Sequence, residues 1–116
     1  MVIKIRKFIK NELIELGYNI SHKGTLYLIE TLVIICSSKN YFITMSSIEK
    51  NVYTQIANKY NANISTIKSN IVKATESMYK YNYMNKSQAI KYTPKIVIYD
   101  LVDKLKNSNK KEKNNL

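Results

Sequence analysis

Residues 55–73 read QIANKYNANISTIKSNIVK, and how this stretch folds decides how the rest is read. Ile56, Ala57 and Tyr60 fall on one helical face. Ile64, Ile67 and Ile71 recur at spacings of three and four, the period of a second helix. Asn61-Ala62-Asn63 lies between them. Asn tolerates the left-handed backbone that a helix end needs, and Asn63 is a good N-cap for the second helix. The spacing therefore predicts two helices joined by a tight turn, with small Ala57 where they cross. That is the geometry of a helix-turn-helix.

Working upstream, Ser46-Ser47-Ile48-Glu49 fits a capping box, with Ser46 accepting from the Glu49 backbone and Glu49 reaching back. The helix-turn-helix then spans about 47–80, and the second helix about 64–80. Further upstream, 2–16 carries Ile5, Phe8, Ile9, Leu13 and Leu16 on one side and ends at Gly17, an amphipathic helix with a glycine stop. Residues 24–36 carry the stripe Leu26, Ile29, Leu32, Val33 and Cys36, widened by Leu28 and Ile35. A helix apolar over so much of its surface is central. Tyr41, Phe42, Ile43 and Met45 fit a short extended piece or a helical turn. Downstream, YNYMNKSQAIKY has no clear period. Thr93-Pro94 then opens a last helix with the stripe Ile98, Leu101, Val102 and Leu105. The expected fold is all-α, a compact bundle of five to six helices containing a variant helix-turn-helix. Its domain is 1–106, and 107–116 is a disordered basic tail.

The formal net charge is +11 on 116 residues, unevenly placed. Residues 50–99 carry eight Lys against Glu76 alone, a net of +7, while 1–49 and 100–116 carry +2 each. A field concentrated on the helix-turn-helix attracts a polyanion, nucleic acid before membrane. Single Cys36 excludes a disulfide framework and reads as a small core residue. His22 is the only histidine, without partners for a metal or nucleophile. The acids form no obvious pair, and Gly17 and Gly24 make no phosphate loop. No cofactor, no metal and no enzymatic role is expected. The start is no signal peptide, and the longest apolar run, 26–36, is too short to span a bilayer. A cytoplasmic protein without a membrane partner is expected.

If Ile67 and Ile71 are buried, then Ser65, Thr66, Lys68, Ser69 and Lys73 face outward. They sit on the half of the helix that meets base edges in this motif. Ser and Thr can bond bases or phosphates, and Lys can reach guanine O6 and N7. Gln55, Lys59, Asn61 and Asn63 flank the motif where phosphates run. Lys23 and Thr25 either grip a phosphate at the start of the second helix or simply begin it. The alternative for the whole face is an ordinary solvated surface with Lys for solubility. Tyr79, Tyr81, Tyr83 and Tyr92 fit core and rim packing better than a stacking platform for single strands.

Three longer pieces carry a resemblance: ELGYNISHKGTLYLIETL, IEKNVYTQIANKYNANISTIKSNIVKATESMYKY and YTPKIVIYDLVDKL. In this order and spacing they resemble the C-terminal effector domain of the master response regulator that initiates sporulation in Firmicutes. The similarity runs from about 12 to 105. It implies an all-helical transcription-factor domain binding double-stranded DNA, with RNA polymerase as a further partner and copies paired on tandem sites. Family members carry a phosphorylated receiver domain; here Met1 leads straight into the first effector helix, which fits an excised domain or a stand-alone effector. The family's recognition helix reads bases with arginines. The matching positions here are Thr66, Lys68, Ser69, Val72 and Lys73, and none is Arg. The family's target sequence is therefore not carried over. The region before the last helix is also shorter here. Two other readings remain: a largely non-specific DNA binder, and an interaction module that pairs with a full-length family member and blunts it.

Overall fold

Glycine and asparagine set the corners of the chain. The computed structural model describes the backbone of residues 2–86 and 92–114 and the side chains of 4–82 and 92–107. Helix α1 (Val2–Leu16) stops at Gly17, whose φ of +106° is open to glycine at little cost. Gly17 N donates to Ile14 O and Tyr18 N to Leu13 O, both at 3.0 Å, which satisfies the last carbonyls in a Schellman turn. Helix α2 (Lys23–Ser37) starts from His22, whose Nδ1 accepts from Gly24 N at 2.9 Å. The lone histidine is thus a helix cap.

The segment 41–46 resolves as a helical turn, α3 (Tyr41–Ser46), capped by Asn40 Oδ1 on Ile43 N at 3.2 Å. The expected capping box does not form. Ser46 ends α3, and its hydroxyl donates back to Ile43 O at 2.7 Å. Ser47 takes the entry position instead, and its carbonyl accepts from Asn51 N at 2.8 Å. The chain then winds as a π turn (Glu49–Tyr53) straight into α4 (Thr54–Lys59). Helix α5 (Ile64–Lys86) runs past the expected end at 80, and α6 (Pro94–Asn114) opens with Thr93 Oγ1 accepting from Ile96 N at 3.3 Å. The backbone of α6 continues helically beyond 106, where a tail was expected. Lys and Glu are good helix formers, and 107–114 contains neither Gly nor Pro to stop them.

Helix α2 is the centre of the bundle and touches every other helix. Leu28, Leu32 and Ile35 are fully buried along it, with Ile29 and Val33 beside them, while Leu26 turns out to the surface. The expected stripe was thus slightly misphased. Cys36 is half-buried, and burial pushes its thiol up to about 11. Ile9 and Leu13 of α1, Ile67, Ile71, Ala74 and Met78 of α5, and Val97, Ile98, Leu101, Val102 and Leu105 of α6 close the core around α2. Each large aliphatic contributes about 1.5–3 kcal/mol on burial.

Two features fix α2 against the rest. Gly24 meets α5 backbone to backbone: a Cβ built there would lie 1.9 Å from Asn70 O and 2.8 Å from Ala74 Cβ. Tyr18, buried at the α1 exit, donates to Thr75 Oγ1 at 2.8 Å, and Thr75 in turn donates to Ile71 O at 3.0 Å. Burial pushes the Tyr18 hydroxyl up to about 12, against a smaller lowering by Thr75.

Candidate nucleic-acid interface

Residues 54–67 form the expected pair of helices. Asn61 adopts φ +50°, and Ala62 N reaches back to Ala57 O at 2.9 Å, so the turn closes as a second Schellman motif with Asn at its left-handed position. Ile56 and Ala57 of α4 are buried with Ile67 and Ile71 of α5. Asn63 then caps α5: its Oδ1 accepts from Thr66 N at 2.8 Å, from Ser65 Oγ at 2.7 Å and from Thr66 Oγ1 at 2.8 Å. Asn63→Ala should lower stability by about 1 kcal/mol, measured by urea denaturation.

Ser65, Thr66, Lys68, Ser69 and Lys73 are all exposed along the outer side of α5, and Val72 is half-buried at its edge. The face is therefore present, but its groups are not equally available. Ser65 and Thr66 direct their hydroxyl protons at Asn63, so in this arrangement they can only accept. Lys68 Nζ donates to Glu49 Oε1 at 2.6 Å. Among the described residues, no ion pair engages Lys73.

The expected phosphate contacts divide. Gln55, Asn61 and Asn63 are exposed around the turn. Gln55 Nε2 donates to Asn51 O at 2.6 Å. Lys23 is exposed and, next to Gly24, stands beside α5. Thr25 does not belong to the set. It is 0% exposed, because the first turn of α2 is pressed against α5, and its hydroxyl cannot meet a phosphate. Lys59 reaches inward: its Nζ donates to Glu30 Oε2 at 2.8 Å and lies 5.5 Å from the Tyr60 ring centre.

Glu30 escapes a reading of the sequence because it interrupts an apolar run and no partner lies near it in the chain. It is 5% exposed and held between Lys59 of α4 and Arg6 of α1. Burial alone would raise its carboxyl, but the hydrogen bonds from Lys59 and Arg6 outweigh that and hold it below the ordinary carboxylate value. The same bond raises Lys59. The only arginine of the chain is thus engaged by Glu30 and is not on α5. Tyr79 and Tyr92 are half-buried and Tyr81 is exposed on the far part of α5 and at the entry to α6; Tyr83 lies outside the described side chains.

Among the described residues no group of His, Cys, Asp and Glu could hold a metal ion, and no helix is long and apolar enough to cross a membrane. The described residues form an all-helical bundle with an Asn-turned helical pair and a lysine- and hydroxyl-bearing outer face. A family model described as "Sporulation initiation factor Spo0A C terminal" matches residues 9–113, and the chain belongs to that family. It is a family of DNA-binding effector domains of sporulation regulators, not of enzymes. No curated protein and no solved structure gives a significant match.

Proposed function

We propose that this domain binds duplex DNA with the first half of α5 in the major groove and acts on transcription. The observation that carries the reading is the outer face of α5, where Lys68, Ser69 and Lys73 stand exposed above buried Ile67 and Ile71 in a chain of this family. Lys73 and Lys68 are the base-facing cations, with Ser65, Thr66, Ser69 and Val72 beside them. Lys23, Gln55, Asn61 and Asn63 line the phosphate path. Lys59 joins them at the α4 end if phosphate competes with Glu30. RNA polymerase and a second copy on a tandem site are the further partners of such an effector.

Selection from random duplexes should enrich one motif; recovery of none sinks the specific version. Lys68→Ala with Lys73→Ala should weaken binding roughly 10- to 100-fold in a filter or fluorescence assay. The slope of log affinity against log salt should fall by about 0.9 for each phosphate that is no longer neutralised. Unchanged affinity would show that DNA lies elsewhere. A second reading, binding with little sequence preference, is favoured by the absence of arginine from the face and by the hydroxyls committed to Asn63. Equal affinity for a scrambled duplex decides for it.

A further inference from the structure

Glu49 is an acid at the border of the most basic segment of the chain, 50–99, and it is the partner of a cation on the proposed reading face. Its carboxylate meets Lys68 Nζ at 2.6 Å, with the two side chains 56% and 60% exposed. An ion pair this open adds little to stability, so the fold gives little reason for it. Its effect is directional. A lysine alone is a mobile point charge, whereas arginine reads guanine with a rigid fork.

Three further observations restrict this pair. Glu49 begins the π turn, and Thr54 Oγ1 donates to its backbone carbonyl at 3.0 Å, which anchors the residue at its main chain. π turns of this kind re-aim side chains and are frequent at functional sites. Glu49 and Lys68 both border a cleft of about 570 Å³ whose apolar wall includes Ile48, Tyr53, Ile71 and Val72. Tyr53 lines the same cleft, and its hydroxyl is pushed up to about 12 by burial and then by the nearby charge of Glu49.

We propose that Glu49 is a specificity-determining residue, acting with Lys68 as one unit that reads a G·C base pair in the major groove. Lys68 donates to guanine O6 and N7, and Glu49 accepts from cytosine N4 while keeping Lys68 in line. The pair supplies the donor and acceptor that one G·C pair demands, and it does so without arginine. This inference rests on the DNA-binding reading above.

The test uses the whole chain and the duplex enriched by selection, together with single-base variants of it and a scrambled duplex. One position of the enriched motif should be G·C. Glu49→Ala and Glu49→Gln should bind scrambled DNA more tightly, because a repelling charge is gone, yet lose about tenfold of the preference at that position. Lys68→Ala should lose the same preference, and the double variant no more than either single one. Exchanging the two residues, Glu49→Lys with Lys68→Glu, restores the ion pair and should move the preferred base. The inference is overturned if the Glu49 variants strengthen binding to every duplex by one common factor, or if they select the unchanged motif. It is also overturned if the exchanged protein keeps the original base. A wild-type chain that binds no duplex removes the DNA-binding reading itself. One that binds and selects, with Glu49 variants behaving identically, removes only the role of Glu49.

Discussion

Gly24→Ala should unfold or severely loosen the bundle, with a loss of about 3 kcal/mol or more, at the upper end of what overpacking costs. The added methyl would fall 1.9 Å from Asn70 O and 2.5 Å from Asn70 C. Neither atom is the flexible end of a side chain. Both belong to the backbone in the middle of α5, fixed by the helix around them, so α2 and α5 must separate. These two helices form the main packing of the molecule, and their separation opens the core at Ile71 and Ala74. The damage also reaches function, because Asn70 lies between Ser69 and Lys73 on the helix proposed to read DNA. Urea denaturation with circular dichroism measures the loss. A midpoint equal to wild type would mean that the two helices do not approach as described.

Arg6→Ala combined with Lys59→Ala should cost roughly 2–3 kcal/mol, at or just below the low end of the range for breaking a buried pair, because both cations are partly exposed. The mechanism is the carboxylate left behind. Glu30 is 5% exposed, and without its partners only the raising effect of burial remains. Either single variant should cost less, since the other cation stays on the opposite carboxylate oxygen. The pH dependence has a definite sign. In the wild type the folded Glu30 is below its unfolded value, so its contribution is fully present above the unfolded carboxylate range. That contribution is lost as pH falls through the lower, folded value. In the double variant the folded value is raised instead. Stability should then recover as acid protonates Glu30 and worsen as pH rises through the carboxylate range. Denaturation midpoints for both proteins, taken from about pH 3 to about pH 7 to span carboxylate titration, separate the two slopes. Parallel slopes would refute the assigned role of Glu30.

Local chemistry was legible in the sequence where a residue acts on its own neighbours. Gly17, Asn61, Asn63 and Thr93-Pro94 set helix ends within a few positions of themselves, and each does so in the structure. The apolar spacing of α1, α5 and α6 named their buried sides, because the 3.6 period needs no knowledge of the partner. Family membership likewise followed from the order of several quoted pieces. Pairs formed across the chain were hidden. Arg6, Glu30 and Lys59 come together over long separations, and Lys68 meets Glu49 from 19 residues away. The misassigned capping box has a different cause: Ser46 and Glu49 have the right spacing for a regular helix start, and the chain there is not regular. Thr25 was misjudged because a helix N-terminus looks open in sequence, and only the approach of α5 closes it. The base-reading and phosphate roles of the individual side chains follow neither from spacing nor from geometry alone, and they stand as proposals.

The meeting of Gly24 with the main chain of α5 has a consequence for divergence. Where two helices touch through their backbones, the distance between them is set by atoms that substitution elsewhere on either helix does not change. Ser65, Thr66, Ser69 and Lys73 are exposed, and none of them supplies an atom that a methyl at Gly24 would meet. They can therefore be exchanged one by one while the helix that carries them keeps its seat. Descendants of such a chain can change that surface by drift, and no compensating change in the core is required of them.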